Sequence, residues 1–162
     1  GVCLVPPAGG PRWRCVENIH VSVARPFSLE LQSIQPFLAA LESHLPELPA
    51  ARLRLSFRSL WQFDSDTSPK RFLALAAPQR RGRAVVDALV RGVDRAVGCF
   101  GRSPYFTDPH HHASLAYTDR GDEGYEEPRE LRSLDGPVTV EVVALHCRVG
   151  GRVNVFPLTR PA

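Results

Sequence analysis

Lysine is almost missing from this chain of 162 residues: Lys70 stands alone, and every other basic residue is an arginine. Methionine is absent altogether. No apolar run approaches the length of a membrane-spanning helix, and nothing has the shape of a signal peptide, so neither a helical membrane protein nor a membrane partner is expected. The four cysteines (Cys3, Cys15, Cys99, Cys147) lack Cys-x-x-Cys spacing. They read as ordinary thiols of a reducing compartment, with a single pairing left open. The glycine pairs Gly9-Gly10 and Gly150-Gly151 are not followed by Lys-Ser/Thr, which leaves them as turns and excludes a phosphate loop. Starting at Gly1 without a methionine, the chain reads as a processed or trimmed form, with any upstream targeting segment out of view.

What remains is ordinary in bulk. A hydrophobic share of 43% and a charged share of 23% are those of a soluble globular protein. The length suits one domain, or one unit of two similar lobes, with a real core. The net charge of +3 is compatible with a nucleic-acid partner and does not require one. Arginine grips phosphate in a fork and stacks on bases, which suits RNA, while a coding bias towards arginine gives the same composition.

Against that background two short stretches share one grammar. Ile19-His20-Val21-Ser22-Val23-Ala24 and His112-Ala113-Ser114-Leu115-Ala116-Tyr117 each set His, a spacer, Ser, an apolar residue and Ala in a run that reads as a β-strand. Side chains alternate faces along a strand, so His and Ser two apart point the same way. Two such strands brought together aim two imidazoles and two hydroxyls into one cleft. This is a kit for phosphodiester chemistry without metal. Imidazole, with an ordinary pKa of about 6.5, serves as base or acid near neutrality, and serine hydroxyls donate to the non-bridging oxygens as charge builds there. The candidate catalytic residues are therefore His20 and His112, with Ser22 and Ser114 as substrate-binding donors.

The remaining pattern supplies the frame. Strands are predicted at Gly1–Val5, Asn18–Ala24, Arg52–Arg58 with Trp61–Phe63 extending it, Arg71–Ala77, the second His stretch, Val138–Val149 and Arg152–Pro157. Helices are predicted after Pro36, with Phe37, Leu38, Leu41 and Leu45 on one face, and over about 82–100, with Val85, Leu89, Val93 and Val97 on one side. Thr118–Gly136 reads as an exposed connection, and Gly150-Gly151 as a tight hairpin turn. The order predicts an α+β protein of two pseudo-symmetric lobes in a single domain, each lobe offering one His-x-Ser strand to a central cleft.

Several other features read as structural. Asp108-Pro109-His110-His111-His112 invites a metal, but consecutive ligands seldom converge on one ion, so no metal or other cofactor is expected. His44 and His146 read as structural or exposed, and Trp13 and Trp61 as packing anchors. Arg80-Arg81-Gly82-Arg83 fits an RNA backbone contact and a solvated helix start equally well. Neither serine sits in a nucleophile elbow, which argues against Ser/His/Asp hydrolysis.

With its pair of His-x-Ser motifs the chain resembles the two-histidine phosphoesterase superfamily. Arg71-Phe72-Leu73-Ala74-Leu75, the helix from Leu89 to Val97, Phe106-Thr107-Asp108-Pro109 ahead of His112, Leu145 to Gly150 and Pro36 to Leu41 resemble, within it, the U6 small nuclear RNA 3′-end phosphodiesterase family. The resemblance implies a monomeric, nuclear, metal-independent 3′-to-5′ RNA exonuclease. Its substrate would be the oligouridine end of U6 RNA, left with a cyclic phosphate or 3′-phosphate. It also implies a ring that stacks on the terminal base: Phe106 holds the position where that family has tyrosine, and Tyr105 is beside it. The chain departs from the family in having only Pro6 to Val16 where a helix usually precedes the first motif, and in carrying His110 and His111. Two alternatives stay open: another two-histidine esterase, such as a cyclic phosphodiesterase or a tRNA end-processing enzyme, and a non-catalytic RNA-binding module.

Overall fold

The computed structural model describes residues 12–46, 53–66, 68–76, 80–105 and 110–158. Its elements are β1 (Arg14–Cys15), a 3₁₀ turn (Leu31–Ser33), α1 (Ile34–His44), β2 (Leu53–Asp64), β3 (Lys70–Ala76), α2 (Arg80–Gly98), β4 (His112–Asp119), β5 (Arg129–Val142), β6 (Ala144–Val149) and β7 (Arg152–Pro157). The fold is α+β, as predicted. Five strands form one antiparallel sheet in the order β1-β4-β3-β2-β5, and β6 and β7 form a second, two-stranded sheet. The predicted strand Gly1–Val5 lies outside the described residues.

The chain divides into two compact units, one drawn from 1–22, 57–78 and 110–138, the other from 23–56, 79–109 and 139–162. Both His-x-Ser stretches belong to the first unit. That corrects the expectation of one motif per lobe: instead of facing each other from separate lobes, the two stretches are neighbours along β4.

In the first unit, register decides which side chains share a face. β2 and β3 pair Ser59 with Ala76, Trp61 with Ala74 and Phe63 with Phe72. β3 and β4 pair Ala76 with His112 and Ala74 with Ser114, with an irregularity between Leu73 and Ala74. Ser59, Trp61, Phe63, Phe72, Ala74, Ala76, His112 and Ser114 therefore lie on one face, and Gln62, Asp64, Arg71 and Leu73 on the other. The predicted hairpin of β2 and β3 is present, and its alternation is that of a half-buried strand: Leu55 and Phe57 are buried while Arg54 and Arg58 are exposed.

The opposite face carries an ionic clasp that the sequence did not announce. The Asp64 carboxylate is fully buried. It accepts from Arg71 Nε at 2.8 Å and Arg71 Nη2 at 3.1 Å, from Arg120 Nη1 at 3.3 Å, and from the Glu126 backbone N–H at 2.9 Å. Arg71 also donates to Glu123 at 2.6 Å, and Gln62 to Glu126 at 3.0 Å. The predicted exposed connection Thr118–Gly136 is thus shorter than expected: β4 runs to Asp119, β5 starts at Arg129, and the loop between them is tied to the sheet. Its charged composition hid that role, because the partners are distant in sequence.

Burial alone would raise the Asp64 pKa, but the bonds from Arg71, Glu126 and Arg120 and the Arg71 charge outweigh it and hold the carboxyl below its ordinary value. Removing one partner of a buried ion pair strands the other, at a cost of about 3–5 kcal/mol. Asp64→Ala should lose stability on that scale in urea unfolding; a variant within experimental error of wild type would show that the clasp carries no net stability. Because the folded pKa is depressed, the wild-type contribution is complete above roughly pH 4 and fades as pH falls through the lower folded value.

The second unit packs two helices over a hairpin. α1 buries Phe37 and Leu41, and α2 buries Leu89, Val93 and Val97 of its predicted side, with Val86, Val90 and Ala96 joining them while Val85 stays half-buried. Pro36 stands in the first turn of α1, where a missing N–H costs little. The helix stops at Leu45, which turns extended (ψ 134°) because Pro46 follows it. Gly92 is required: a Cβ there would lie 2.5 Å from the His44 carbonyl oxygen. The β6–β7 hairpin closes at Val149 and Arg152, with Gly150 at φ 58°, the left-handed geometry such a turn demands. The single strand predicted over Val138–Val149 is broken at Val143, whose carbonyl accepts from the Leu158 N–H at 3.1 Å.

Candidate active site

The first His stretch is not the regular strand predicted over Asn18–Ala24. β1 pairs Cys15 with Ala116, the Val16 N–H donates to the Leu115 carbonyl at 2.8 Å, and the chain rejoins β4 only at an isolated antiparallel bridge between Val21 and Ala113. Residues 17–20 thus bulge out opposite Ser114 alone. The bridge still delivers what the grammar requires. Val21 and Ala113 face one another, so antiparallel register sets His20 beside Ser114 and Ser22 beside His112.

The two rings are held by the same device. His20 Nδ1 donates to the Asn18 carbonyl at 2.8 Å, and His112 Nδ1 donates to the His110 carbonyl at 2.6 Å. In both cases the acceptor is the backbone two residues earlier. A carbonyl accepts only from N–H, so both neutral rings carry their proton on Nδ1 and present Nε2 as the free lone pair. The His112 ring is half-buried and His20 is exposed. Burial pulls the His112 pKa below the ordinary imidazole value; the bond to His110 opposes this, and the charges of His110, His111 and His20 add to it.

The partner of His112 is a ring the sequence reading did not single out. Phe63 stacks on it with centroids 4.3 Å apart and planes 19° from parallel. Phe63 reaches there over Ala74 and Ala76, both buried and both packed against it. Trp61 stacks in turn on Phe63, at 5.9 Å and 20°. The available signal was long-range: aromatics two apart on one strand, opposite Ala-x-Ala on the next, beside the His-x-Ser strand.

The other candidates are not all brought to this place. Tyr105 belongs to the second unit, where its backbone N–H donates to Asp94 at 2.7 Å. Phe106, with Asp108-Pro109, lies outside the described residues. Trp61 does anchor packing, as expected, and its Nε1–H donates to Ser59 Oγ at 2.9 Å. His111 is buried and His110 exposed. Among the described residues no three His, Cys, Asp or Glu side chains are grouped to hold a metal ion. Cys15, Cys99 and Cys147 are free thiols, and no helix among the described residues is long and apolar enough to cross a membrane.

The chain matches the family described as HVSL, an uncharacterised conserved protein, over residues 6–157, and it belongs to that family. The string His20-Val21-Ser22-Val23 differs from those four letters only in its last residue. No curated protein matches the chain.

Proposed function

We propose that this protein is a metal-independent 3′-to-5′ RNA phosphodiesterase that shortens the 3′ end of U6 RNA in the nucleus, working as a monomer. The observation that carries the reading is the matched pair of imidazoles, each fixed through Nδ1 to the carbonyl two residues back, on segments bridged at Val21 and Ala113. Two such rings with adjacent hydroxyls are what transesterification at phosphorus asks for. The 2′-hydroxyl of the penultimate nucleotide attacks the neighbouring phosphorus; the 2′-O–P bond forms and the P–O5′ bond breaks. The 2′ proton passes to one Nε2, and the other imidazolium protonates the departing 5′-oxygen. The products are a 2′,3′-cyclic phosphate end and the freed terminal nucleoside. We assign the base to His112, whose half-buried place against Phe63 favours its neutral form, and the acid to His20. Ser22 and Ser114 donate to the non-bridging oxygens.

The test is incubation with a uridine-ended RNA in EDTA. Stepwise shortening from the 3′ end, unaffected by the chelator, is the expected result. Activity that disappears with chelation and returns with zinc or magnesium would refute the metal-free mechanism. Hydrolysis of 2′,3′-cyclic nucleotides without shortening would assign the site to another two-histidine esterase, and binding without turnover to an RNA-binding module.

A further inference from the structure

The rings beside His112 extend beyond what its own chemistry uses. Phe63 is buried between two flat neighbours, the His112 imidazole at 4.3 Å and the Trp61 indole at 5.9 Å, both within 20° of parallel. The stack therefore starts at His112 and ends on the half-buried indole. The exposed His110 ring stands beside both Trp61 and Phe63, 6.3 Å from the first at a tilt of 34° and 6.2 Å from the second. Those centroid separations are ordinary aromatic contacts, about 4.5–7 Å, so His110 extends the aromatic surface that Trp61 presents.

The Trp61 ring and the His110 backbone are held before any ligand arrives. The indole is pinned by its Nε1–H to Ser59 Oγ bond, 2.9 Å. The His110 backbone is pinned by the bond its carbonyl accepts from His112, 2.6 Å. A planar group stacking on Trp61 therefore meets a ring whose ordering cost is already met, the condition under which stacking gives most affinity. The same His110 carbonyl ties the position of this edge to the ring that does the chemistry.

We infer that Trp61 and His110 form a subsite that stacks a nucleobase of the RNA strand next to the phosphate handled by His112. The inference rests on the reading of this site as an RNA phosphodiesterase and names two residues to which that reading gives no task. The subsite recognises a π-face rather than a hydrogen-bonding edge, so it tolerates any base and fails only when the base is missing.

The test measures binding, which separates it from turnover. An uncleavable oligouridine, 2′-deoxy throughout, is titrated against wild type and against His110→Ala, and the same strand with one abasic position near its 3′ end is titrated in parallel. In wild type, an abasic position at the stacked nucleotide should weaken binding by about 5- to 150-fold. In His110→Ala the intact strand should bind more weakly and the abasic penalty should shrink towards nothing. Trp61 also packs on Phe63, so Trp61→Phe, which keeps a ring, is the companion variant and should retain most of the penalty. Circular dichroism confirms that each variant is folded. An abasic penalty of unchanged size in His110→Ala, or no penalty at any position in wild type, overturns the subsite while leaving the phosphodiesterase reading intact. Failure of wild type to bind any strand overturns both.

Discussion

His112→Ala, and separately His20→Ala, should each abolish 3′ trimming while leaving the circular dichroism of the protein unchanged. Each positioned acid or base contributes about 10²–10⁴-fold in rate. The two act in one proton-transfer cycle, so the double variant should be scarcely slower than either single one. Folding is spared for different reasons at the two sites. His20 is exposed, and the ladder bonds of β4 are made by backbone groups that alanine retains. The pH–rate curve of the wild type should be a bell. Its acid limb belongs to the group that must be neutral, His112, and burial sets that limb below the ordinary imidazole range of about 6.5. Near-normal turnover in either folded single variant would remove that histidine from the mechanism.

The second large effect lies in the substrate. An RNA whose penultimate nucleotide is 2′-deoxy should resist cleavage almost completely, because the attacking oxygen is then missing. In the proposed mechanism neither Ser22 nor Ser114 replaces it, because both imidazoles are committed to the two proton transfers. A deoxy nucleotide placed further upstream should have little effect until shortening reaches it, at which point the reaction should stall. The stall position on a sequencing gel is the measurement. Shortening of the penultimate-deoxy strand at the normal rate would mean that water or a side chain attacks phosphorus, and the transesterification described above would be wrong.

Local signals were read well and distant ones were not. The His112 strand, the β2–β3 hairpin, both helices and the turn at Gly150 follow from alternation, helical spacing and turn chemistry within a few residues. The first motif departs from the strand predicted there, since alternation from Asn18 to Ala24 says nothing of residues 17–20 leaving β4. The pairing of both motifs in one unit depends on Val21 finding Ala113, a partner far along the chain. The Asp64 clasp gathers Arg71 from β3 and Arg120 and Glu126 from the connection after β4, whose composition alone suggests a solvated loop. Phe63 reaches His112 only because Ala74 and Ala76 on the intervening strand are small, a relation between three strands that no single segment displays.

The bulge at residues 17–20 gives the two halves of the site unequal hold on the fold. His112 stands on β4, in the ladder with β3 opposite Ala76, and displacing it means breaking that ladder. His20 stands at the end of four residues that make no ladder with β4, anchored by one bridge and by its own bond to Asn18. Amide protons of residues 17–20 therefore exchange through small openings, while those of β3 and β4 wait for global unfolding. Under the proposed mechanism, heating should take one of the two imidazoles from position before the molecule melts. Inactivation should then run ahead of denaturation and reverse on cooling, a short unpaired segment setting the working temperature in place of the core.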